Sequence, residues 1–86
     1  MRTVTLGEYR NLMHAFSTGR IGAGEFKGAY VRLFEEDRVT RPQEIFRILE
    51  AIFVDLGAFS PGLDESGLQV RVTEALRVLD AMRHGA

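Results

Sequence analysis

The sequence predicts an all-α fold, an antiparallel four-helix bundle, and three observations point to it. Apolar residues recur at helical spacing in four separate stretches, each with one apolar stripe and one polar face. Short connectors rich in glycine, proline or charge separate the stretches. Alternation with a period of two is never sustained, so no strand is expected. A chain of 86 residues makes one domain, taken as 1–86, with one modest core and no room for a deep enclosed active site besides. Single-faced helices joined by short loops bury their stripes best against antiparallel neighbours.

The first helix is predicted over about Leu6 to Ser17. Thr5 is a good N-cap and Glu8, three residues on, completes a capping box. Val4 and Tyr9 occupy the two positions of a hydrophobic staple. Leu6, Tyr9, Leu12, Met13 and Phe16 form the stripe, and "STGRIGAG" breaks it. The second helix is predicted over about Ala23 to Glu36, with Gly22 as N-cap and Ile21 and Phe26 as a second staple. Its stripe is Phe26, Ala29, Tyr30, Leu33 and Phe34, and Gly28 weakens it unless a close helix crossing requires that glycine.

The third helix follows "EDRVTRP", where Thr40 with Gln43 offers a capping box and Pro42 suits a first turn. Ile45, Ile48, Leu49, Ile52, Phe53 and Leu56 give it the broadest apolar face of the four, with Phe46 at its edge. It is expected to stop near Leu56, with Gly57 as the terminator and Pro61 barring continuation. The fourth helix is predicted over about Gly67 to Arg83, capped by Ser66 with Gln69. Its stripe is Leu68, Val72, Ala75, Leu76, Leu79 and Met82. The expected core holds Phe16, Phe26, Leu33, Leu49, Phe53, Leu76 and Leu79.

Composition excludes several functions. The chain is 45% hydrophobic and 27% charged, as an ordinary soluble globule is. It has no cysteine, hence no disulfide and no thiolate metal site. A formal net charge of −1 gives no nucleic-acid footprint. No apolar run reaches membrane-spanning length, and "MRTVTLGEYR" lacks the apolar region of a signal peptide, so a cytoplasmic protein is expected. Enzyme chemistry finds no purchase either. His14 and His84 are the only histidines and neither has an acid at ligand spacing, so no metal is expected. Tyr9 and Tyr30 sit on core stripes, and no glycine-rich loop follows a strand. No catalytic residue and no cofactor is predicted.

The stretch "AIFVDLGAFSPGL" needs its own account. Read from Asp55, it is similar to the "DLGxDS" box of acyl carrier proteins, with Ser60 as the serine that would carry a phosphopantetheine arm. That box needs its serine at a helix start, whereas here "DLG" ends the most apolar helix and Pro61 follows the serine. A small carrier or scaffold domain is the alternative that remains, with a helical DNA-binding regulator disfavoured for want of a basic patch. The plainer reading makes 57–62 a helix stop and a turn, with Phe59 folded back on the core.

A closer match lies elsewhere. The segments "RILEAIFVDLGAFSPGL" and "ESGLQVRVTEALRVL" resemble the C-terminal half of the colicin D immunity protein-like family. The shared positions are Leu49, Ile52, Phe53, Asp55, Leu56, Ala58, Phe59 and Pro61, then Leu68, Val72, Ala75, Leu76 and Leu79. "STGRIGAGEFKGAYVRLFEED" resembles the N-terminal half more loosely. Gly57, Gly62 and Gly22 depart from the family pattern, and the chain is less acidic than family members tend to be.

The resemblance implies an immunity protein, a non-enzymatic inhibitor of a bacterial toxin, with a tRNA-cleaving ribonuclease domain as the expected target. It also implies a mechanism in which carboxylates occupy phosphate positions of a basic cleft. Such an inhibitor needs no direct nucleic-acid or membrane contact and is expected as a monomer in a 1:1 complex. The acids suited to the task are Asp55, Glu44, Asp64 and Glu65, with Phe59 beside them and Glu35, Glu36 and Asp37 as a second patch. Glu44, Ile48, Ala51 and Asp55 fall on one line of the third helix, so two carboxylates bracket a small apolar patch. Each acid also has a structural reading. Asp55 can brace the "GAFSPG" turn, Glu35 to Asp37 can be a solvated helix end, and Asp64 and Glu65 can match the charge of a helix N-terminus.

Overall fold

The computed structural model describes residues 3–58 and 65–85, the side chains of 83–85 excepted. Four helices follow one another: α1 (Leu6–Ser17), α2 (Ala23–Glu36), α3 (Gln43–Ala58) and α4 (Glu65–Gly85). Each packs on its neighbours in the chain, and α1 also packs on α4, which closes an antiparallel four-helix bundle. The described residues contain no strand.

Local chemistry sets most helix ends. At α1 the Thr5 side chain accepts from the Glu8 N–H at 3.3 Å, and the Glu8 carboxylate accepts from the Thr5 N–H at 2.9 Å. Both halves of the capping box are therefore made. The staple holds too, with Val4 and Tyr9 both buried. The C-terminus of α1 is a Schellman turn. Arg20 N–H donates to the Ala15 carbonyl at 2.8 Å and Gly19 N–H to the Phe16 carbonyl at 3.1 Å. Gly19 takes φ +80°, a left-handed conformation that disfavours any residue with a Cβ.

Three boundaries differ from the sequence reading. Gly57 does not stop α3, which runs through it to Ala58. Thr40 makes no cap bond; the carbonyl of Pro42 instead accepts from Phe46 N–H at 3.0 Å. Helix α4 begins at Glu65, so Ser66 lies inside its first turn rather than capping it. Gln69 turns toward α1 and donates through Nε2 to the carbonyls of Phe16 and Ser17, at 3.4 Å each. Two of the carbonyls that end α1 thus gain a donor from α4.

The core is continuous through the bundle. Phe16 stacks on Phe26 at 4.6 Å, Phe26 meets Tyr30 at 5.5 Å, and Tyr30 meets Tyr9 edge-on at 5.5 Å. This aromatic ladder fills the seam between α1 and α2. The Tyr30 hydroxyl donates to the Leu49 carbonyl at 2.8 Å, which satisfies a buried polar group and ties α2 to α3. Ile52, Leu56, Leu68, Val72 and Leu79 complete the interior. Phe53 and Leu76, expected in the core, are only partly buried. Phe53 stacks at 4.4 Å on Phe34, itself partly buried, along the α2–α3 seam. Its truncation is expected to cost about 1–2 kcal/mol, less than a fully enclosed phenylalanine.

Gly28 is exposed, and a Cβ built there meets nothing within 4 Å. No close crossing requires it. Gly28→Ala should therefore raise the unfolding free energy by up to ~1 kcal/mol through helix propensity alone. Urea denaturation checks this, and a loss of stability would show that a contact had been missed.

Candidate functional site

The sequence-predicted acids occupy three places in the fold. Asp55 lies in the last turn of α3 with about a third of its side chain exposed, 34%. Its Oδ2 accepts from Arg71 Nε of α4 at 3.1 Å. Among the described residues, its contact is thus a bridge between two helices; most of the turn that it was expected to brace, 59–62, lies outside the described residues. Glu44 is exposed in the first turn of α3, and Glu65 is exposed as the first residue of α4. Both carboxylates complement the positive end of their helix. Phe59, Ser60 and Asp64 lie outside the described residues.

A groove of about 500 Å³ lies between helices α3 and α4. Ile48, Ile52, Ala75 and Val78 make its apolar walls, and Ala51 leaves it unfilled on the α3 side. Asp55, Arg71 and Glu74 form a charged lip, beside Val70, which is 68% exposed. The predicted line of Ile48, Ala51 and Asp55 therefore runs along one wall of a real concavity. Val54, 62% exposed, stands on the outer surface of α3 nearby. Glu74 also pairs with Arg77 on its own helix, both side chains being well exposed. Such surface pairs are worth only ~0–1 kcal/mol and can exchange partners at small cost.

The second acidic cluster divides in two. Glu35 and Glu36 are exposed at the C-terminal end of α2, where no basic residue lies in the last turn. Carboxylates there face the negative end of the helix dipole, which typically costs ~0.3–1 kcal/mol each. Asp37 is different. Its Oδ2 accepts from the Tyr9 hydroxyl at 2.7 Å and from Arg41 Nε at 3.1 Å, and its Oδ1 accepts from Val39 N–H at 3.0 Å. Only 10% of the side chain is exposed, and likewise for Arg41. Arg41 also donates to the Val4 carbonyl at 2.9 Å and stands 5.6 Å from the centre of the Tyr9 ring. The network fastens the α2–α3 connector to the start of α1. Burial alone would raise the Asp37 pKa, but the bonds from Tyr9, Val39 and Arg41 and the charge of Arg41 outweigh it and hold it below the ordinary value. Burial and the Asp37 carboxylate push the Tyr9 phenol well up, so it stays a neutral donor at physiological pH.

A second interhelical ion pair joins Arg10 of α1 to Asp80 of α4. The described residues contain no cluster of histidine and acid side chains able to hold a metal, and no helix long and apolar enough to cross a membrane. Sequence reasoning missed Arg71, Glu74 and the valines of α4 as neighbours of Asp55. Their only signal was position on the face of α4 toward α3, which becomes legible once the helix pairing is known.

The sequence model of bacterial self-protective colicin-like immunity proteins matches residues 4–79 of the chain. No curated protein and no solved structure matches the chain. The chain belongs to the colicin-like immunity family and is an immunity protein whose partner is a toxin.

Proposed function

We propose that this member of the colicin-like immunity family neutralises a nuclease toxin, a tRNA-cleaving ribonuclease domain, by covering its basic cleft with carboxylates. The family match over residues 4–79 carries the reading. The geometry supports it through the face shared by α3 and α4, where Asp55 and Glu74 line an apolar groove, and through Glu44, exposed in the first turn of α3. A nuclease cleft is cationic because it holds phosphates. Carboxylates placed there gain charge-assisted hydrogen bonds and speed the encounter of the two proteins.

In this reading Asp55 is the central contact, with Glu44, Glu65, Asp64 and Phe59 around it. Glu35 and Glu36 form the secondary patch. Asp37, whose carboxylate is engaged inside the chain, shapes the α2–α3 connector rather than touching the toxin. The inhibitor acts in the cytoplasm as a monomer in a 1:1 complex and makes no contact with RNA itself.

Asp55→Asn tests the assignment, because it removes charge and keeps shape. The Asp55–Arg71 pair is partly exposed, so its loss should lower stability by no more than about 1 kcal/mol. Toxin affinity should fall by about 2–5 kcal/mol, mostly through faster dissociation, if the carboxylate is buried in the complex. A variant that melts lower yet protects toxin-producing cells fully would place Asp55 outside the interface.

A further inference from the structure

The groove between α3 and α4 has a chemistry that carboxylates alone do not account for. Its walls are aliphatic, and two alanines, Ala51 and Ala75, face it where larger residues would close it. Its volume of about 500 Å³ admits one or two large side chains. Val70, at its lip, is 68% exposed and extends the apolar surface outward. The charges that line it have a sign. Asp55 and Glu74 face the groove against one cation, Arg71, and Arg77 pairs with Glu74 from outside the lining.

That balance decides what can sit there. A second copy of the chain would set this net-acidic lip against an equally net-acidic one, and like charge across an interface is disfavoured. A segment with an apolar side chain between cations satisfies both halves of the surface. The apolar chain fills the groove, and the cations take over the half-exposed carboxylates of Asp55 and Glu74 from Arg71 and Arg77.

We propose that the α3–α4 groove is an anchor pocket for a toxin segment that presents one large aliphatic or aromatic side chain flanked by lysine or arginine. The inference rests on the immunity reading and adds an apolar hot spot, lined by α4 as well as α3, to an interface otherwise held by charge. Interface hot spots are packed and desolvated in this way, with exchangeable polar groups around them.

The test fills the groove. Ala51 is exposed on α3, so Ala51→Phe can be made without disturbing the core. Asn11→Phe, exposed on α1, controls for a new surface phenylalanine. The product of the neighbouring gene is assayed for nuclease activity, and its inhibition is measured for the wild-type chain and both variants, with melting temperatures alongside. Ala51→Phe should weaken inhibition by at least about 30-fold and Asn11→Phe should not. Equal inhibition by wild type and Ala51→Phe overturns the pocket while leaving the immunity reading intact. If the wild-type chain fails to inhibit that nuclease, the immunity reading fails against it, and the pocket is judged by nuclear magnetic resonance. The full chain is titrated with pentapeptides carrying leucine between lysine and arginine, leucine between glutamates, or serine between lysine and arginine. Amide shifts at Ala51, Val70 and Val78 with the first peptide alone support the pocket. Equal shifts with all three, or none, overturn it.

Discussion

Phe26→Ala is expected to lower the unfolding free energy by about 3–5 kcal/mol. Phe26 is fully buried and contacts both Phe16 and Tyr30, so truncation opens a cavity in the middle of the aromatic ladder. The neighbours cannot readily collapse into it. Tyr30 is held through its hydroxyl on the Leu49 carbonyl, and Phe16 is held by its own carbonyl in the Schellman turn that ends α1. A domain of this size is expected to have a total stability of ~4–13 kcal/mol, so the variant should be marginal at room temperature. Phe53→Ala provides the internal contrast, since Phe53 is only partly buried. Urea denaturation of both variants should give a clearly larger loss for Phe26. Equal losses would mean that the α2–α3 seam is as enclosed as the α1–α2 seam, against this fold.

Asp37→Ala should be comparably damaging, at about 3–5 kcal/mol, for an electrostatic reason. The substitution leaves the Arg41 guanidinium and the Tyr9 hydroxyl buried without their shared acceptor. Asp37→Asn keeps an acceptor for Tyr9 and removes the charge, so it should cost less. The same network sets an acid limit. The folded-state pKa of Asp37 lies below its ordinary 3.8, so the stability it lends is present above that value. It is lost as pH falls below it, through the folded-state pKa. Melting temperatures below pH 4 should therefore drop more steeply for the wild type than for Asp37→Asn. Parallel acid profiles would remove Asp37 from the account of stability.

Much of the local chemistry is legible in the sequence, although the Thr40 cap is not formed. Thr5 with Glu8, the Gly22 cap and the helical spacing of Leu49, Ile52 and Leu56 each depend on residues within one or two turns, and each was read correctly. Most of what failed depended on partners far along the chain. Gln69 looked like half of a capping box because its actual acceptors, Phe16 and Ser17, are about fifty positions away. Phe53 lies on the flank of the α3 stripe, and spacing alone could not tell that this flank meets Phe34 at a seam rather than the interior. Asp37 read as one of three surface acids, since nothing local reveals that Tyr9, Arg41 and Val4 converge there. Gly57 misled in the opposite way, because a glycine is tolerated inside a helix when its neighbours continue it. The acidic line on α3 was visible, but the groove it borders needed the facing side of α4.

The central claim is that this immunity protein blocks a nuclease by carboxylates on its α3–α4 face. Its most direct test is the salt dependence of inhibition. RNA cleavage by the product of the neighbouring gene is titrated with wild-type chain and with the combined variant Glu44→Gln, Asp55→Asn, Glu65→Gln and Glu74→Gln, at ionic strengths from low to high. The account predicts that the wild type stops cleavage at one equivalent and loses affinity as salt rises. It predicts that the variant, still folded, binds weakly and with little salt dependence. Inhibition by the folded variant as tight and as salt-sensitive as the wild type's would contradict it.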